Sequence, residues 1–162
     1  MIKTSKINDN QLNDKINKLR SWERNKEELS KESINDIIRI KKKYAFNGSI
    51  YLVDFGENIG AEINKKRPAL VVSNNNYNAF STNVVVLPIT KKLIFKGKDS
   101  RLPKYPSHYF LYKLDYNFLD FDSCVECEQI RTMSKARIRK HLGNLKNDDK
   151  EKILLKLSKL FS

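Results

Sequence analysis

Gly60-Ala-Glu62-Ile-Asn-Lys-Lys-Arg67-Pro68-Ala-Leu-Val-Val-Ser73 is the stretch on which the reading of this chain turns. A glycine-led, charged loop runs straight into an apolar strand, and Arg67 sits beside Pro68 where loop becomes strand. A second apolar strand, Asn83-Val-Val-Val-Leu-Pro88-Ile-Thr90, ends on a hydroxyl. Strand ends hold a side chain more firmly than loop centres do, so each could present a fixed polar group to a ligand. A permanently charged guanidinium and a nearby hydroxyl suit a phosphate that gains negative charge.

Working outward, residues 46–162 read as a small β domain. Asn47-Gly48 signals a turn. Beyond it Ile50, Leu52 and Asp54 alternate with Tyr51, Val53 and Phe55, as in a half-buried strand. Asp54 to Gly60 is a loop. Strands at about 67–73 and 83–89 are joined through the turn-prone Asn74-Asn75-Asn76. Pro88 predicts an edge or a bulge. The basic segment 91–106, with Gly97, Pro103 and Pro106, predicts a long mobile loop, and 108–114 and 124–133 predict two more strands. A short helix is expected from Ser134. A clearer one should follow Asn147, with Asp148, Asp149 and Glu151 at its positive end and Ile153, Leu154, Leu157, Leu160 and Phe161 as its apolar face. Five strands with short turns and a closing helix point to a small, partly open barrel.

Residues 1–45 differ in composition. They lack Gly and Pro, and 12 basic and 7 acidic residues crowd into them. Leu12, Ile16, Leu19 and Trp22 recur at helical spacing. Ser30 or Ser33 could cap a second helix through Ile34, Ile37, Ile38 and Lys41. We expect a basic helical extension over 1–45 and a barrel domain over 46–162.

The whole chain has 162 residues and a formal net charge of +13. That excess argues for a polyanionic partner, most simply nucleic acid, and an acidic protein would serve as well. No apolar run reaches the roughly 20 residues that span a bilayer, and residues 1–10 lack the apolar core of a secretory signal, so a cytoplasmic protein is expected. Cys124 and Cys127 form a lone C-x2-C pair without the further ligands a metal site needs. Two reduced thiols are expected, with no metal and no cofactor.

Taken in order, several of these segments resemble the MazF/PemK family of toxin ribonucleases. Gly48-Ser-Ile-Tyr-Leu-Val-Asp-Phe is similar to its opening strand, and Gly60-x-Glu62-x4-Arg67-Pro68-x-Leu-Val-Val-Ser to its most diagnostic block. Val-Val-Leu-Pro-Ile-Thr90 is similar to the next strand end. Glu128-Gln129-Ile-Arg131-Thr132-x2-Lys135-x-Arg137-Ile is similar to the block before the C-terminal helices. Order and spacing agree over residues 47–157. The resemblance implies a small SH3-like barrel of the CcdB/PemK type with a C-terminal helix, mainly β with α, and a homodimer. It implies cleavage of single-stranded mRNA at short sequences without a metal, and an antitoxin, expected to be acidic, that holds the toxin inactive. By residue it implies Arg67 and Thr90 as the catalytic pair. Glu62, Gln129 and Arg137 would line the RNA groove, with His108 beside it. The loop Gly56-Glu-Asn-Ile59 departs from the family, which often has proline there, and residues 1–45 have no counterpart in its short members.

Metal-free RNA cleavage uses the substrate's 2′-hydroxyl as nucleophile and yields a 2′,3′-cyclic phosphate and a 5′-hydroxyl. Arg67 can hold two phosphate oxygens, and Thr90 can donate to the same group. Losing one such donor costs about 3–4 kcal/mol in the transition state. Arg67 is a poor base because its pKa lies far above neutral. Glu62, put first, and His108 are the titrating groups available, so Glu62 joins the catalytic set. A second reading is a non-enzymatic gyrase poison of the same fold. Those relatives rely on a tryptophan-bearing C-terminal tail, whereas this chain ends Lys-Leu-Phe-Ser with Trp22 as its only Trp. A third is a barrel that binds RNA without cutting it.

Overall fold

The computed structural model describes residues 9–98 and 100–162. The first part of the expected 1–45 extension therefore lies outside the described residues. Helix α1 (Asp9–Asn35) and helix α2 (Ile37–Lys42) come first. They precede β1 (Ser49–Asp54), β2 (Lys66–Val71), helix α3 (Asn75–Phe80), β3 (Asn83–Thr90), β4 (His108–Leu111) and β5 (Ser123–Glu126). Strands β6 (Arg131–Ser134) and β7 (Ile138–Asn144) and helix α4 (Asn147–Ser158) complete the chain. The strands form one antiparallel seven-stranded sheet in the order β4-β5-β3-β2-β1-β7. β6 joins the first half of β3, and β5 pairs with its last two residues.

Strand alternation sorts the core onto two faces. The first carries Tyr51, Val53, Ala69, Val71, Val84 and Val86, with Met133 and Ile138 opposite them in register. The second carries Ile50, Leu70, Leu87, Ile89 and Val125, joined by Ile153 from α4. Both faces are apolar, which is why β2 and β3 read as continuous hydrophobic runs. Helix α4 is anchored by Asp149, whose carboxylate accepts hydrogen bonds from Tyr109 at 2.5 Å and from Tyr116. No helix among the described residues is long and apolar enough to cross a membrane.

Several local expectations change. The segment expected as one strand over 124–133 breaks at a 3₁₀ turn, Cys127–Gln129, into β5 and β6. The helix expected from Ser134 is a single 3₁₀ turn, Lys135–Arg137. Its cap is Ser134, whose hydroxyl accepts from Ala136 N at 3.2 Å. The chain then goes straight into β7, an additional strand that pairs with β1. Neither Ser30 nor Ser33 starts a helix. Ser30 Oγ donates back to the Lys26 carbonyl at 2.7 Å, a bond that a continuing helix accommodates, and α1 runs on to Asn35. The asparagine turn instead opens α3: Asn74 Oδ1 accepts from Tyr77 N at 2.8 Å. The expected apolar face of the extension is mostly outward, with Ile34 76% and Ile38 69% exposed. Leu29, Ile40 and Ala136 form a small cluster there, with Trp22 packed against it.

Candidate active site

Backbone register assembles the site. β2 and β3 pair as Val71↔Val86, Leu70↔Leu87 and Ala69↔Pro88. Carrying that register two residues further sets Arg67 opposite Thr90. Thr90 pairs on its other side with Cys124 of β5, Phe110 of β4 lies opposite Cys124, and His108 lies opposite Glu126. Residues directly opposed share a face, and so do residues two apart along a strand. Arg67, Thr90, Glu126 and His108 therefore belong to one face, the first, although they come from separate strands. Arg131 joins them, because it pairs with Val86 of that face.

Arg67 is half-buried, and its Nε donates to the Asn64 carbonyl at 2.6 Å, which fixes the guanidinium at the mouth of the 56–65 loop. Asn58 and Asn64 brace that loop from inside: Asn58 Nδ2 donates to the carbonyls of Ile63 at 2.6 Å and Phe55 at 3.1 Å. Thr90 is buried at the end of β3, where its Oγ1 accepts from Lys92 N at 3.3 Å.

Behind this pair is a carboxylate–imidazole cluster. His108, only 4% exposed, shares a 2.8 Å hydrogen bond through Nε2 with Glu128. Its Nδ1 has no hydrogen-bond partner among the described residues, and Tyr105 packs edge-on at 5.0 Å. Burial pushes the Glu126 carboxyl above its ordinary value and the charge of Glu128 adds to this; His108, Arg67 and Lys92 partly offset both. Glu128 differs. Burial pushes it up, but hydrogen bonds from Ser107, its own backbone and His108 outweigh that and hold it below the ordinary range.

Glu62, Gln129 and Arg131 make a second group. Glu62 is 52% exposed on the loop, 3.6 Å from the Arg131 guanidinium. Gln129 Nε2 donates to the Ala61 carbonyl at 3.3 Å, so this group ties loop 59–62 to the β5–β6 junction. Arg137 is drawn elsewhere. Its Nη1 donates to the Asp54 carbonyl at 3.1 Å, and the guanidinium lies 5.2 Å from the Trp22 ring. Trp22 lies so close to Gly56 that a Cβ there would fall 2.3 Å from the indole, and Lys15 pairs with Glu57 and the Asn58 carbonyl. Helix α1 is thus laid across the start of the 56–65 loop.

On the second face, Leu52, Pro68, Ile89 and Leu142 floor a cleft of about 440 Å³. Arg67 and Thr90 form part of its rim, together with Lys65, Lys66, Lys91 and Lys140. The pair therefore stands where a basic cleft meets the acidic cluster, an arrangement that can hold a phosphate on one side and exchange a proton on the other.

Sequence reasoning missed Glu126, the pairing of Glu128 with His108, the link from Arg131 to Glu62, and Trp22 over Arg137. The signal for the first was strand phase: Cys124, Glu126 and Glu128 alternate with apolar residues. Nothing in the sequence announces which loop a 27-residue helix will cross.

Residues 46–161 match the family model described as PemK-like, MazF-like toxin of type II toxin–antitoxin system. Among solved structures, MazF from Deinococcus radiodurans is similar at 23% identity and a TM-score of 0.58, covering 74% of this chain and 98% of that one. An endoribonuclease in complex with its cognate antitoxin from Mycobacterial species gives 22% and 0.57, covering 73% and 95%. An endoribonuclease from Mycobacterial species gives 20% and 0.56, covering 74% and 92%. At these identities the likeness is one of fold.

Proposed function

We propose that this chain, which belongs to the PemK-like, MazF-like toxins of type II toxin–antitoxin systems, is an endoribonuclease that cleaves single-stranded mRNA without a metal. The observation that carries the reading is the juxtaposition of Arg67 with Thr90 at the ends of β2 and β3, beside a cleft rimmed by lysines. The 2′-oxygen of the substrate attacks the adjacent phosphorus in line. Arg67 holds two of the phosphate oxygens and offsets the charge that grows on them, and the Thr90 hydroxyl donates to the same group. The P–O5′ bond breaks, leaving a 2′,3′-cyclic phosphate and a 5′-hydroxyl. Lys65, Lys66, Lys91 and Lys140 attract the flanking phosphates without reading sequence.

Glu62, paired to Arg131, stands at the edge of the reaction, and Gln129 borders the strand of RNA beside it. Arg137, packed against Trp22, completes the RNA-facing set, and His108, expected beside the groove, lies buried against Glu128 and supports the site from behind. Residues 46–162 act as the barrel domain, with 1–45 as its helical extension. The toxin works as a homodimer in the cytoplasm. An acidic antitoxin restrains it, drawn by the same positive surface that draws RNA.

The test is to incubate the purified protein with a ribo-oligonucleotide and with its 2′-deoxy counterpart. The ribo-substrate is cut to a cyclic phosphate and the deoxy one is left whole; Arg67→Ala cuts neither while keeping its fold. Failure to cut RNA sinks the nuclease reading in favour of a binding or gyrase-poison role, and cutting of both sinks the 2′-hydroxyl mechanism.

A further inference from the structure

In-line attack requires an acceptor for the proton of the 2′-hydroxyl. We infer that Glu126 takes it, with Glu128 and His108 as the positioning residues behind it. The inference rests on the ribonuclease reading of Arg67 and Thr90.

Glu126 is the last residue of β5, and the residue opposite it is His108. Two residues back on the same strand, Cys124 lies opposite Thr90. Glu126 therefore shares the face of Thr90 and is one pleat away from it along β5. Arg67, beyond Thr90 on β2, is near enough for its charge to act on Glu126, as is Lys92 just after β3. The groups that face this carboxyl are thus Arg67 from β2, Lys92 from the segment after β3, His108 from β4, and Glu128 from the 3₁₀ turn. A phosphate held by Arg67 and Thr90 would bring its 2′-oxygen to the same face.

Chemistry then divides the two glutamates. Glu128 already has partners: Ser107 and the imidazole hold it as a carboxylate, and so occupied it orients His108. Among the described residues Glu126 has no hydrogen-bonded partner of that kind to compete with a substrate proton. Its burial beside a second carboxylate raises its basicity above that of an ordinary glutamate, which favours it as the proton acceptor. Two carboxyls whose surroundings push them in opposite directions mark a division between proton carrier and fixed charge. Glu62 fits the role less well, since it is half exposed and its oxygen faces Arg131. His108 fits less well also, because Nε2 is engaged and Nδ1 is buried.

The step balances. The 2′-oxygen forms its bond to phosphorus as its proton passes to a Glu126 carboxylate oxygen. The P–O5′ bond breaks, and the leaving 5′-oxygen takes a proton from a water molecule. The hydroxide so formed accepts the proton held by Glu126, which restores the carboxylate.

The experiment compares the full-length protein with Glu126→Gln, Glu126→Asp and Arg67→Ala by single-turnover cleavage of a ribo-oligonucleotide across pH. Affinity is measured separately on the uncleavable 2′-deoxy form. Glutamine keeps the shape of glutamate, and a neutral amide is easier to bury, so Glu126→Gln should fold and melt no lower than the parent. The expected result is a fall in rate of about 10²–10³-fold. Affinity for the deoxy form should change less than about threefold. The acid limb of the rate profile, centred above the ordinary carboxylate value in the parent, should vanish in Glu126→Gln and persist in the slower Glu126→Asp. If Arg67→Ala is inactive while Glu126→Gln keeps the parent's rate or acid limb, this inference falls and the ribonuclease reading stands. If the parent itself leaves the ribo-substrate whole, both fall together.

Discussion

Gly56→Ala probes how the N-terminal helix is seated. Gly56 has φ +81°, a left-handed conformation that costs an L-residue about 1–2 kcal/mol. A Cβ built there would lie 2.3 Å and 2.4 Å from Cε2 and Cζ2 of Trp22. No real Cβ tolerates that approach, so the indole has to move, and overpacking of this kind adds about 1–3 kcal/mol. The parent background should therefore lose about 2–5 kcal/mol, the sum of the backbone and packing costs. In a Trp22→Ala background the ring is gone and only the backbone cost of about 1–2 kcal/mol remains. Trp22→Ala alone also forfeits the guanidinium of Arg137 stacked 5.2 Å from the ring, an interaction worth about 0.5–2 kcal/mol. Urea unfolding of the four proteins closes the cycle, and the coupling between the sites should be about 1–3 kcal/mol. Equal costs for Gly56→Ala with and without Trp22 would mean that the indole does not rest on Gly56. The account of α1 crossing the 56–65 loop would then be wrong.

Other expectations follow from the remaining buried groups. Burial pushes the thiols of Cys124 and Cys127 up to about 12 and about 11. Neither should react with a thiol reagent at pH 8 until denaturant is added, and prompt labelling of the native protein would contradict their place in the core. Burial pushes Asp149 up, but hydrogen bonds from Tyr109 and Tyr116, helped by Lys152 and Lys146, hold it below the ordinary value. A depressed acid stabilises the fold above its unfolded pKa, near 3.9, and that contribution is lost as pH falls through the folded value. Asp149→Asn should cost about 1–3 kcal/mol at pH 7 and flatten the acid end of the stability profile; an unchanged profile would show that the clamp on α4 carries no charge. Gly143→Ala should also destabilise, since its Cβ would meet the Phe118 ring at 2.2 Å; here Phe118→Ala should rescue part of the loss, measured by thermal melting.

How much of this was legible beforehand depended on the range of the interaction. β1, β2 and β3 could be read because their hydrophobic phase is local, and Arg67 and Thr90 stood out because one opens an apolar run and the other closes one. β7 was hidden by Ser134-Lys-Ala-Arg137, which carries a true helix-start signal that the chain spends on a single 3₁₀ turn. The strand expected over 124–133 broke because β3 is shared. β5 pairs with residues 89–90 and β6 with 83–86, so one continuous strand could not serve both ends. That competition for an edge is long-range and leaves no mark in the composition of the segment.

The site divides along the same line. A register argument needs two strands, so the spacing of Arg67 and Thr90 could raise a suspicion but could not identify what else lies on their face. Glu126 became visible only when β4 and β5 were paired, because that pairing puts His108 opposite it and, one pleat away, Cys124 opposite Thr90. The same pairing explains why two glutamates two positions apart behave differently. Glu126 ends a strand and shares the face of Arg67, whereas Glu128 lies in the 3₁₀ turn that follows and is committed to Ser107 and His108. Arg137 shows the opposite case. The resemblance puts it among groove residues, yet its guanidinium bonds the Asp54 carbonyl and packs against Trp22, from a segment without counterpart in the family's short members. An arginine so engaged has one Nη1 bond committed to the Asp54 carbonyl and one face against the indole. On the proposed reading the extension and the substrate share one cation, so the Gly56–Trp22 seat and RNA affinity should be coupled through Arg137.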